Sequence, residues 1–250
     1  MKKSTSIIIL SALAALMSLS PARSVAQAVQ PKFEGAITFS VTVPQLGDEK
    51  LAMITYIKGN KTATIIDMGA MGSQHMYSDL DKRTIAVVSG EGKTGIIMDL
   101  PNDTAVVAKA VNKVDNKSDT KADNSDLKAT GKIETVNGYK AQEFIAPTKT
   151  GSMDIWATTD LPESVRSGMI ASMKNNPQSQ GSGAFAALAT KGLAPVRITI
   201  ITGGQTAATV DLVKFEVKPI DDAAMVPAPG VTLKHMTMEE IQQMSGGGAH

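Results

Sequence analysis

Residues 130–144 read TGKIETVNGYKAQEF, and residues 152–162 follow with SMDIWATTDLP. In the first stretch two strand-like runs flank Asn137-Gly138, a pair that tolerates the positive φ angles of a two-residue hairpin turn. The second adds a further strand over Ser152 to Thr158. The region predicts antiparallel sheet, and it carries no catalytic pattern.

Towards the N-terminus, Phe33 to Val43 places Phe33, Ile37, Phe39, Val41 and Val43 on one side. Glu34, Ala36, Thr38, Ser40 and Thr42 fall on the other, the period of a strand buried on one face and wet on its reverse. Leu51 to Lys58 and Lys61 to Asp67 are joined by Gly59-Asn60, a second hairpin signal. Shorter runs at Gln74–Ser78, Thr84–Val88, Gly95–Leu100 and Thr104–Ala108 extend this half as an antiparallel meander. Towards the C-terminus, Val196–Thr202 and Gln205–Lys218 straddle Gly203-Gly204, a third turn of the same kind. Met225 to Pro229 is expected to end the sheet, and Thr237 with Glu240 offers a capping box for a short last helix. Between the halves, Asp115 to Lys128 interleaves aspartate with lysine. With so little to bury it cannot offset its ordering entropy and reads as a mobile loop.

The helical signal lies after Ser152–Thr158. Asp160 is a candidate cap, with Pro162 and Glu163 in the first turn, and Leu161, Val165, Met169 and Met173 then recur every four residues. Gly183 to Lys191 predicts a second, alanine-rich helix displaying Phe185 and Leu188, folded back on the first. Leu161, Val165, Met169, Met173, Phe185 and Leu188 are therefore the candidate ligand-binding residues. An apolar stripe also serves as ordinary helix-on-sheet packing, and the same residues can do both.

Lys2 and Lys3, the apolar run Ile7 to Leu19 and Ala26-Gln27-Ala28 have the layout of a cleavable secretory signal over residues 1–28. The apolar run falls short of the ~18 residues a spanning helix needs, so no transmembrane segment is expected after its removal. The chain has no cysteine. It therefore offers neither a lipid-anchor site nor a disulfide framework, and a soluble periplasmic or secreted protein is expected. Without Lys2, Lys3 and Arg23, the count of 25 basic against 24 acidic residues becomes a charge of −2. That is a poor match for a nucleic-acid face.

Methionine numbers 14 while aromatics make up 4% of the chain, so apolar walls would be built from flexible thioethers and aliphatics. Met68, Met71, His75 and Met76, and again His235, Met236 and Met238, mix thioether with imidazole, a combination that suits Cu(I). Methionine filling an apolar underside explains the same residues. No spacing suits zinc, and no cofactor loop or nucleophile elbow is present.

FEGAITFSV from Phe33, YIKGNK from Tyr56 to Lys61, TGKIETVNGYKAQEF from Thr130 and IWATTDLP from Ile155 together make the chain resemble a bacterial family of exported proteins, domain of unknown function family 4412. The resemblance implies a fold similar to the lipoprotein-carrier superfamily: a curved antiparallel sheet, an unclosed barrel, around helices and an apolar cavity. It supplies no catalytic residue. The expected protein is mainly β (α+β), one domain over residues 29–245 with a flexible tail at 246–250, its helical insert packed on the concave face of a strongly curved antiparallel sheet. The expected function is non-catalytic binding or carriage of an acyl chain or other apolar ligand. The alternatives are an envelope protein–protein interaction module with a filled core, and a Met/His copper-handling protein.

Overall fold

The structure, a computed structural model, describes residues 33–47, 49–69, 72–89, 92–100, 127–148, 150–175, 183–237 and 240, without the side chains of 171 and 173–175. The signal segment, the 104–108 strand, residues 115–126 of the acidic–basic loop and the 246–250 tail lie outside the described residues.

Among the described residues twelve strands form one sheet. They are β1 (Glu34–Thr42), β2 (Lys50–Lys58), β3 (Lys61–Asp67), β4 (Ser73–Asp79), β5 (Thr84–Ser89), β6 (Thr94–Asp99), β7 (Lys128–Val136), β8 (Tyr139–Thr148), β9 (Gly151–Thr158), β10 (Ala194–Thr202), β11 (Gln205–Val217) and β12 (Thr232–His235). Helices α1 (Glu163–Asn175) and α2 (Gly183–Thr190) are inserted between β9 and β10. The spatial order is β12-β6-β5-β4-β3-β2-β1-β11-β10-β9-β8-β7, two sequential meanders joined through the antiparallel β1–β11 pair. The sheet is strongly curved and does not close, and the helical insert packs on its concave face.

Local chemistry explains the meanders. Asn137 and Gly138 both have positive φ, 51° and 85°, as a type I′ turn demands, and Gly59 supplies the single positive φ, 59°, between β2 and β3. Curvature has a visible source as well. Register shifts interrupt the β1–β11, β10–β11, β9–β10 and β7–β8 pairings. A bulge bends its strand and increases its twist, so these pairings coil around the helices. From β1–β2 through β5–β6 the register is unbroken.

Three expectations are corrected. Met225–Pro229 does not end the sheet: the chain after β11 crosses the meander and returns as β12, which pairs parallel with β6. That parallel pairing requires such a crossover, because a tight turn can only reverse a strand. The crossover also covers part of the outer face of the first meander, so that Ala36 is buried on the side expected to be wet, while Glu34, Thr38, Ser40 and Thr42 stay partly exposed. Ile220 and Met225 are buried on Ala63 between Tyr56 and Tyr77, and Ala36, in the same cross-strand row as Tyr56, is 6% exposed. Finally, Leu127 and Lys128 belong to the folded body. Leu127 packs against the α2 cluster and Lys128 opens β7.

The crossover is held at its start by charge. Lys58 Nζ donates to the Ile220 carbonyl at 2.7 Å and pairs with Asp222 at 2.8 Å, while the Ile220 amide donates to Glu34 Oε1 at 2.8 Å. Beyond β12, Thr237 and Glu240 exchange the two bonds of the expected capping box, at 2.7 and 3.3 Å. No helix among the described residues is long and apolar enough to cross a membrane.

Candidate ligand-binding site

Helix α1 starts just after Pro162, whose carbonyl accepts the Arg166 amide at 3.0 Å. Asp160, the expected cap, is engaged elsewhere: its Oδ2 accepts from the Lys140 amide at 3.2 Å and ties β9 to β8. The four-residue period then does what it predicts. Leu161, Val165 and Met169 are at most 1% exposed, in one cluster with Phe33, Ile37, Ile57, Val136, Ala141, Ala194, Val196 and Leu212. Met173 follows on the last turn, its side chain outside the described residues. Gly168 lets the helix approach so closely because a Cβ there would stand 2.5 Å from the Phe33 ring.

Phe185 and Leu188 project from α2 into a separate cluster with Phe144, Ala146, Met153, Ile155 and Ala157. Five of the six residues singled out in the sequence, all but Met173, are thus divided between two packed clusters. In the structure as it stands they interlock with the sheet.

The register shows where this face continues. Ile57, beneath α1, heads a row across the meander of Thr62, Ser78, Ile85 and Met98. Ile37 heads the next, with Thr55, Thr64, Met76, Val87 and Ile96. Phe39 heads a third, with Met53, Ile66, Gln74 and Ser89. Directly paired residues share a face, so all three rows lie on the side that receives the helix. Met53, Ile66, Met76, Val87, Ile96 and Met98 are half-buried there, unlike the sealed residues under α1. Thr55 and Thr64 satisfy each other's hydroxyls at 3.1 Å. No charged residue occurs in the rows until the exposed Lys234, which β12 adds beside Ile96.

Sequence reasoning did not find this wall. Its signal was the alternation of β2 to β6 together with their methionines, but register was needed to place Met53, Met76 and Met98 on one face.

Among the described residues the histidines of the two methionine–histidine groups do not converge. His75 and Met76 are successive residues of β4 and point to opposite faces. His75 is held by Ser73 Oγ on Nε2 at 3.0 Å and by the Tyr77 hydroxyl on Nδ1 at 3.2 Å. His235 pairs with Asp99 at 3.1 Å on β12, which lies beyond β5 and β6 from β4, and strand spacing and register put the two histidines about 16 Å apart. Among the described residues no group of three or more His, Cys, Asp or Glu is placed to hold a metal ion. Met68 lies in the turn after β3, and Met71 and Met238 lie outside the described residues.

Charge is concentrated on the opposite face. Burial pushes the Glu143 carboxyl up, but hydrogen bonds from Thr130 and Lys132 and the Lys132 charge, 3.1 Å away, outweigh this and hold it below the usual carboxylate range. Asp154 beside it is pushed up by burial and by Glu143. A polar depression of about 270 Å³ lies between the β2–β3 turn and the crossover, lined by Lys58, Gly59, Asn60, Lys61, Asp81 and Asp222. Its charges are already engaged: Lys58 pairs with Asp222, Lys61 with Asp79, and Asp81 accepts from the Asn60 side-chain amide at 2.8 Å.

A curved, unclosed β-sheet wrapped on a two-helix insert, with an uncharged, methionine-rich inner wall, is the architecture these features define. The chain belongs to the family described as domain of unknown function DUF4412, whose model matches residues 33–229. No curated protein matches the sequence. Among solved structures it is similar to an uncharacterized conserved protein from Thermus thermophilus, at 9% identity, covering 93% of this chain and all of that one with a TM-score of 0.49. It is also similar to a LolA superfamily protein, NE2245, from Nitrosomonas europaea, at 10% identity over 87% of this chain and 97% of that one, TM-score 0.33. A third is MucB in complex with MucA(peri), 11% identical over 88% of this chain and 58% of that one, TM-score 0.38.

Proposed function

We propose that this protein is a non-catalytic, exported binding module that holds an acyl chain or other apolar ligand along the inner wall of the β2–β6 meander. The observation that carries this reading is the half-buried apolar wall of Met53, Ile66, Met76, Val87, Ile96 and Met98, continuous by register with the floor beneath α1. Flexible thioethers suit a ligand of variable shape. Leu161, Val165, Met169, Phe185 and Leu188 form the apolar block at the end of this wall, and a ligand reaches them when the helices shift. The test is organic extraction of protein isolated from the periplasm followed by mass spectrometry, with titration of a fluorescent fatty acid. Co-purified lipid and saturable binding, abolished in Val87→Asp, are expected. Absence of both lipid and probe binding refutes the reading.

A second reading, an envelope interaction module, is favoured by one different observation. Eight of the nine residues of β7, an edge of the sheet, are exposed, Ile133 at 58%. An unpaired strand edge is a template for a partner's strand. Cross-linking in whole cells with a photoreactive residue at Ile133 tests it: a discrete adduct supports the partner, and its absence removes this reading.

A further inference from the structure

Ser78 stands in the inner row of Ile57, Thr62, Ile85 and Met98, is 5% exposed, and its Oγ is buried with no hydrogen-bond partner among the described residues. Its surroundings make the orphan conspicuous. One row away Thr55 and Thr64 pair their hydroxyls, and at the far end of the sheet the buried Thr158 donates to the Lys140 carbonyl at 2.7 Å. Glu143, whose Oε2 also lacks a hydrogen bond, has the Lys132 ammonium 3.1 Å away as its counter-charge. Ser78 has no such compensation. A buried unpaired hydroxyl is destabilising, and an alanine would fill nearly the same space without that cost.

We infer that Ser78 is the specificity-determining contact of the inner wall, hydrogen-bonding a neutral polar group, an ester or hydroxyl, on an otherwise apolar ligand. The inference rests on the proposal that this wall takes an apolar ligand and adds its chemical class. Neutrality follows from the rows themselves. Beside Ser78 they present Thr62, Ile57, Ile85, Thr64, Met76 and Met98, none of them charged. A carboxylate there would be buried without a counter-ion, which costs far more than a single neutral hydrogen bond returns. An ester carbonyl accepts from the Ser78 hydroxyl, and a ligand hydroxyl either donates or accepts, so both satisfy Oγ.

The experiment uses the full mature chain and displacement of the neutral apolar dye N-phenyl-1-naphthylamine by 1-decanol, methyl decanoate, decanoate at alkaline pH, and decane. The wild type is expected to bind decanol and methyl decanoate about tenfold more tightly than decane, with decanoate no tighter than decane. Ser78→Ala should lose that tenfold preference, keep its affinity for decane, and unfold at the same or a higher denaturant concentration. If all four probes bind and Ser78→Ala changes none of them, or if decanoate binds most tightly in both proteins, the Ser78 assignment is overturned while the apolar-site reading survives. If no probe displaces the dye and the dye itself does not bind, both fall together.

Discussion

Around β1 and β7–β11, four pairings slip register and the helices seat Leu161, Val165 and Met169 at 1% exposure or less; across β2–β6 every pairing keeps register, and six apolar residues of the same face stay half-buried. The two regions have similar side chains. They differ in backbone, because bulged strands coil tightly enough to be filled by a helix while regular strands present a broader wall. One region is therefore core, and the other is surface that an apolar ligand can complete.

The comparison is most sharply tested by truncation. Leu161→Ala should lower the free energy of unfolding by about 2–5 kcal/mol in urea denaturation, since a side chain sealed on all sides leaves a cavity. Met76→Ala in the wall should cost under about 1.5 kcal/mol, because a half-buried methionine surrenders fewer contacts. Equal losses would erase the distinction between core and wall.

Next in size is Gly168→Ala. An added methyl gains helix propensity but meets Phe33 at 2.5 Å, and the net effect should be a loss of about 1–3 kcal/mol, largely restored in the double variant with Phe33→Leu. Without that restoration, the helix–Phe33 contact is not what fixes α1 on the coiled region.

A smaller effect is expected outside the wall. Lys58→Met removes the hydrogen bond to the Ile220 carbonyl and the ion pair with Asp222, so amide exchange should accelerate across residues 220–236 and remain unchanged in α1. Uniform acceleration would mean that the crossover unfolds only with the whole molecule.

The smallest effect is acid dependence. Glu143 has a depressed pKa in the fold, so its stabilisation is complete above its unfolded value of about 4.3 and disappears as pH falls through the lower, folded value. Asp154 runs the other way: its pKa is raised by burial and by Glu143, so its protonation relieves a cost as pH falls. Lys132→Met should therefore flatten the loss of stability as pH falls below the unfolded Glu143 value of about 4.3, read from urea midpoints. An unchanged acid limb would show that Lys132 does not stabilise the Glu143 carboxylate in the fold.

Much of this was legible in the residues. The Asn137-Gly138, Gly59-Asn60 and Gly203-Gly204 turns are where the sequence puts them, because short turns depend on φ angles that few residues tolerate. The period of Leu161, Val165 and Met169 correctly marked the buried stripe of α1. The Asp160 cap misled, since a carboxylate follows the donor that tertiary packing brings nearest, here the Lys140 amide. β12 was missed because Thr232–His235 is only four residues long and its partner, β6, is more than a hundred residues earlier.

Sequence by itself determined strands β1 to β11, the turns and the apolar helix, since each depends on side-chain period and backbone preference within a few neighbours. Tertiary structure alone decided that Ile220 and Met225 cover Ala63 on the outer face of the first meander, that the candidate residues of α1 and α2 enter different clusters, and that Met53, Met76 and Met98 share a wall with the orphaned Ser78. These are matters of register and crossover. They join residues remote along the chain, whose proximity comes from the way the whole sheet pairs and coils, which no local pattern encodes.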